Sequence, residues 1–136
     1  MSPIVFGLIL GIAITFAARI TEFDADSSYH ATLLVVIATY YVLFAYMSGE
    51  AIIEEILFAS GFSAIALLGT YRWLPLIGIG LILHGIFDLV HPHLLSNPGV
   101  PAWWPFFCLG VDVVLGTSVI FLSHTGRVNL RDQSND

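Results

Sequence analysis

Ionisable residues suited to chemistry are few in this chain, and they are spaced to work together. His84, Asp88 and His91 stand at i, i+4 and i+7, which at 100° per residue puts all three within about 60° of one another on one helical face. Glu50 and Glu54 share a face in the same way. Glu55 lies about 100° from Glu54, so at most one of that adjacent pair points squarely at the histidine helix. Cys108, Asp112 and Gly116 form a third line at i, i+4 and i+8. Imidazole and carboxylate are suitable ligands for a divalent transition metal such as zinc or iron, and His84 with Asp88 can reach a single ion from one helix. His91 and Asp112 complete the candidate metal set, with His93 a further donor just past Pro92. The same groups also suit acid–base chemistry without a metal. Glu54 or Glu55, in an apolar setting beside His84 and Asp88, would then serve as the proton donor.

The elements that must position these residues follow from composition. Of 136 residues, 57% are hydrophobic and 10% charged, against about 45–50% and 25% in typical globular domains. That excess has to face something other than water, which excludes a disordered chain and a conventional soluble domain. A helix crosses the hydrocarbon layer with about 17–25 predominantly apolar residues, and five stretches meet that length: Pro3 to Ile20, Ala31 to Met47, Ala51 to Tyr71, Trp73 to His91 and Trp103 to Ser123. The breaks carry turn punctuation: the acidic Glu22–Ser28 segment, Ser48-Gly49, and Pro92, Pro98, Pro101 and Pro105 in the longest connection. The fold expected is an all-α, polytopic membrane bundle over residues 1–124, followed by a loose polar tail over 125–136. No Lys or Arg precedes the first apolar run, so it reads as a retained helix and not as a signal peptide. Four Arg and no Lys give no support to nucleic-acid binding. Cys108, the single cysteine, reads as a small core residue.

Alternating spans place Arg19, Arg72, Arg127 and Arg131 on one side, so the positive-inside rule sets the N-terminus outside and the C-terminus in the cytoplasm, with a bacterial inner membrane as the expected location. Depth then follows at about 1.5 Å per residue. Glu54 and Glu55 fall roughly 5–7 Å below the outer boundary, His91 at it, Asp88 about 5 Å down, His84 about 10 Å and Asp112 about 10–13 Å. Ionisable groups on three spans thus share one depth range. Ionised side chains at that depth cost at least about 2.5–3.5 kcal/mol each, so they must face one another, water or a ligand. Gly7 and Gly11 form a GxxxG face for helix packing or self-association into a homo-oligomer. Tyr40, Tyr41 and Tyr46 read as an aromatic belt, and His30 and His124 as solvated residues at span ends.

The stretch from Tyr71 to Gly116 resembles an uncharacterised family of small bacterial and fungal integral membrane proteins. The resemblance is carried by Tyr71-Arg72, Ile77-Gly78-Ile79-Gly80, His84-Gly85-Ile86-Phe87-Asp88-Leu89-Val90-His91, Asn97-Pro98, Cys108 and Asp112. It implies a multi-span helical fold with a shared site and supplies no reaction. In the family pattern a second histidine directly follows the one at position 91, whereas here Pro92 intervenes before His93. Glu54-Glu55-Ile56-Leu57-Phe58 also looks like the glutamate pair of the CAAX-protease-like membrane family, with Ala59 in place of an arginine, and like the glutamate motif of membrane lycopene cyclases, with Ile52 in place of a proline.

Together these features lead us to expect a membrane enzyme, a hydrolase, isomerase or cyclase, acting on a lipophilic small molecule from the bilayer. Glu54, Glu55, His84 and Asp88 are its candidate catalytic groups, and His84, Asp88, His91 and Asp112 its candidate metal ligands. A proton- or ion-coupled carrier uses the same residue types at the same depths. A structural subunit, pinned by interhelical hydrogen bonds of about 0.6–2 kcal/mol each, is the third reading.

Overall fold

A computed structural model describes residues 1–131 and contains five long helices. They are α1 (Pro3–Thr21), α2 (Ser27–Ser48), α3 (Ile52–Tyr71), α4 (Pro75–Leu94) and α5 (Trp104–His124), with a single 3₁₀ turn at Phe23–Ala25. Each is long and apolar enough to cross a membrane. Proline opens α1, α4 and α5, where its missing N–H would have had no partner anyway.

Two boundaries differ from the hydropathy reading, each for a local reason. Helix α2 starts four residues before Ala31 because the Asp26 side chain accepts a hydrogen bond from Ser28 N at 2.8 Å and caps it. Helix α4 continues past His91 to Leu94, since Pro92 lies in the last turn, where Leu95 N can still donate to His91 O. At the α2–α3 turn Gly49 takes the left-handed conformation at φ 78°, and its N–H closes on Ala45 O.

Neighbours run in the order α1, α5, α4, α3, α2, with α4 also touching α2. Glycine sets the closest approaches. A Cβ at Gly78 would stand 2.5 Å from Gly116 O, and one at Gly116 would stand 2.7 Å from Gly78 O, so α4 and α5 meet backbone to backbone. Residue numbers run in opposite directions across that contact, because Gly85 lies against Asp112 and Leu109. They run together between α1 and α5, where Gly7 meets Phe107 and Gly110, and Gly11 meets Val114. Helices α1 and α5 are therefore parallel, and α4 is antiparallel to α5. The expected GxxxG face is an intramolecular seam.

The core is built from Leu34, Ile77, Leu81, Leu115 and Val119. Outside it, Phe6, Ile12, Phe16, Leu43, Ile53, Leu57, Leu67 and Phe121 are exposed, as expected of helices that are apolar all round and face lipid.

At one end Asp24 accepts from Arg127 Nε at 2.9 Å and from Nη2 at 2.7 Å, with Arg19 at 3.5 Å. His30 is buried there and donates from Nε2 to Asp24 O at 2.8 Å, so it is not the solvated residue expected. Thr125 to Arg131 are likewise not loose. Val128 is buried and Asn129 bridges to Asp26, while residues 132–136 lie outside the described part of the chain.

Candidate metal centre

Helices α4 and α5 bring four donors together. His84 Nδ1 lies 2.9 Å from Asp112 Oδ2 and 3.6 Å from Asp88 Oδ2, and the Cys108 thiol points at Asp112 Oδ2 from 3.7 Å. Ligand atoms from all four residues fall within 4.8 Å of one another. For zinc, bonds of about 2.0–2.3 Å at tetrahedral angles place N and O donors about 3.4 Å apart and S and O donors about 3.6 Å apart. The His84–Asp88 and Cys108–Asp112 separations lie close to those spacings, while the 2.9 Å His84–Asp112 separation is shorter and is that of a hydrogen bond. The close Gly78–Gly116 approach makes it possible, because it holds the two backbones near enough for short side chains to meet across them.

The four donor residues are 0–3% exposed. Among the described residues several of their polar atoms have no hydrogen-bond partner: both oxygens of Asp88, Oδ1 of Asp112 and Nε2 of His84. Buried, unpaired carboxylate oxygens are costly, by several kcal/mol for an ionised group. Aromatic rings close one wall, with Phe62 edge-on to His84 at 4.8 Å and Phe87 at 5.9 Å.

One turn outward sits a second polar group. Glu55 Oε1 accepts from His91 Nε2, and Asn97 Nδ2 donates to that same oxygen at 2.9 Å and to Tyr41 O at 3.2 Å. Glu55 Oε2 is buried without a partner among the described residues. The Tyr41 ring lies 4.2 Å from that of His91, and its hydroxyl faces the Asp88 carboxylate without closing a hydrogen bond to it. Above this tier a cleft of about 310 Å³ opens under the loop between α4 and α5, with His91 and Asn97 among its lining and Leu95, Val100, Pro101 and Pro105 as apolar walls. Larger grooves, about 840 Å³ between α1 and α5 and about 860 Å³ between α2 and α3, contain none of these residues.

The expected site residues divide accordingly. Glu55, His84, Asp88, His91 and Asp112 all enter the interior between α3, α4 and α5. Glu54 does not: it is exposed, because the 100° offset that turns Glu55 inward turns its neighbour away. His91 does not join His84, Asp88 and Asp112, since it lies a turn further out and is bonded to Glu55. Cys108 takes the fourth place. His93, the further donor considered, is exposed and closes nothing. Tyr41 and Asn97 were not anticipated as site residues. Asn97 carried a signal as a lone amide in a proline-bounded loop, but nothing in the sequence separates Tyr41 from Tyr40.

A family model described as a family of unknown function (DUF6010) matches residues 2–125. No curated protein and no solved structure matches the chain.

Proposed function

Because the chain belongs to the DUF6010 family, whose function is unknown, the site itself must guide the reading, and we propose a membrane enzyme that holds a divalent transition metal on His84, Asp88, Cys108 and Asp112. The observation that carries this reading is the buried cluster of four donor residues, each offering a ligand atom within 4.8 Å of the others, with both Asp88 oxygens and Asp112 Oδ1 left without a hydrogen-bond partner among the described residues. A zinc or iron(II) ion bound among these residues would take one imidazole nitrogen, the thiolate and the carboxylates as ligands, groups that bury poorly without it.

Catalysis needs one open position on the ion. Cys108, one turn below Pro105 of the cleft wall, would be the ligand to leave that position open. The cleft's size and its mainly apolar lining suit a small lipophilic substrate held by few polar contacts, and a metal ion at the centre would supply Lewis-acid chemistry to a substrate that reached it. A carrier is less well supported. Inward of the donors come Leu81, Ile77, Leu115 and Val119, a buried apolar layer with no groups to pass a charge onward. Arg19, Arg127 and Arg131 gather around Asp24 and Asp26 at the opposite end of the bundle, which supports that end as cytoplasmic and the cleft as external.

Elemental analysis of protein purified without chelators or a metal-affinity step tests the reading. About one zinc or iron per folded chain is expected, and less than about 0.1 equivalent of every transition metal would refute it.

A further inference from the structure

The donor set is sealed, so an ion reaching it must pass through packed protein. Inward lies the apolar layer of Ile77, Leu81, Leu115 and Val119, and Phe62 and Phe87 line the side near His84. Outward the chemistry changes. His91 follows Asp88 by three residues on the same face of α4, a rise of about 4.5 Å. It meets Glu55 from α3 and touches the external cleft. Asn97 covers the pair from the loop, its Oδ1 held only by longer contacts, 3.4 Å to Ser48 Oγ and 3.3 Å to Gly99 N. Glu55 Oε2 is buried and aimed at no partner. At the exposed rim Glu50 accepts from Ser96 Oγ at 3.4 Å.

We propose that Glu55, His91 and Asn97 form a second cation site, a transit site through which the metal ion moves between the cleft and the buried centre. The inference rests on the buried-centre reading. Carboxylate and imidazole are ligand types a partly dehydrated divalent ion accepts, and the Asn97 amide adds its oxygen by turning over, so that Oδ1 replaces the Nδ2 now on Glu55. The ion displaces the proton shared between His91 and Glu55, and that proton leaves to water through the cleft. Binding at this tier exchanges part of the hydration shell for protein donors. One helical turn inward, Asp88 and then His84, Cys108 and Asp112 replace the rest. The transit site has fewer donors than the centre and lies against the cleft, so the ion is held there more weakly and passes on.

The test follows cobalt(II) uptake by chelator-stripped protein in detergent, read from the cobalt–thiolate charge-transfer band at Cys108. Release is then driven with EDTA. In Glu55→Gln, loading and release should both slow by about tenfold or more, with the end-point stoichiometry and the Kd unchanged. A transit residue alters both rates equally, whereas a ligand of the centre or a structural residue alters the Kd. Rates within about twofold of wild type in the folded variant would overturn the transit site while leaving the centre intact. A weakened Kd at an unchanged loading rate would overturn it as well. Wild-type protein that takes up no cobalt would overturn the buried centre, and the transit site with it. His91→Gln is measured in parallel under the same criteria, so that a folding failure in one variant leaves the other decisive.

Discussion

Replacing Gly78 by alanine probes the contact on which the metal centre depends. Its new Cβ would stand 2.5 Å from Gly116 O and 2.6 Å from Ile120 Cγ1. The isoleucine can rotate away, but the carbonyl belongs to the α5 backbone and cannot. Ordinary contact begins near 3.4 Å, so the helices must part by about 0.9 Å at that level. Asp112 is one turn from Gly116 on α5, and His84 is under two turns from Gly78 on α4. A rigid shift of that size would stretch the 2.9 Å His84–Asp112 bond beyond hydrogen-bonding range. Cys108 moves with Asp112, so their contact survives while the α4 donors separate from the α5 donors. Overpacking of this kind costs about 1–3 kcal/mol. Cys108 is buried and is the only cysteine, so its reaction rate with a small thiol reagent reports opening of the α4–α5 seam. Labelling should accelerate about 5- to 150-fold, the equivalent of that free energy. Gly61→Ala is the control, because no atom lies within 4 Å of its Cβ position, and it should label at the wild-type rate. A folded Gly78→Ala protein that also labels at the wild-type rate would refute the close-approach argument.

Further outcomes follow from the same geometry. Asp112→Asn keeps an acceptor for His84 Nδ1 but removes a buried charge, so elemental analysis should show metal falling below about 0.1 equivalent while metal-free thermal stability is unchanged or higher. A purely structural network would instead lose stability. Glu54→Gln, at an exposed position, should leave metal content and melting temperature as in wild type. The hydrogen bonds from Arg127 hold the Asp24 carboxyl below the usual carboxylate range, outweighing the opposing effect of burial. A depressed folded-state pKa stabilises above the unfolded value, near 3.9, and its contribution disappears as pH falls through the folded value. Thermal melts should therefore show wild-type protein losing its advantage over Asp24→Asn below about pH 4, and an advantage that persisted there would contradict the ion-pair account. With Cys108 replaced by serine, a cysteine introduced at Ser96 should react with an impermeant reagent in intact cells, and one at His124 should not.

Much of the architecture was legible in the residues. Five apolar runs of spanning length can only be five helices in hydrocarbon, because no other open structure there satisfies its own backbone hydrogen bonds. The i, i+4, i+7 spacing likewise placed His84, Asp88 and His91 on one face, and depth put Glu55 near the level of Asp88 and Asp112 near that of His84. Periodicity and depth are properties of a single helix, and both can be counted along a chain. How each helix is rotated against its neighbours is not such a property, and that rotation decided the site. It turned Glu55 inward and Glu54 outward, gave the fourth donor position to Cys108 while His91 went to Glu55, and chose Tyr41 over Tyr40. For α4 and α5 its physical origin is the backbone approach at Gly78 and Gly116, a contact between residues 38 positions apart. Only the packed bundle could reveal which glycines met.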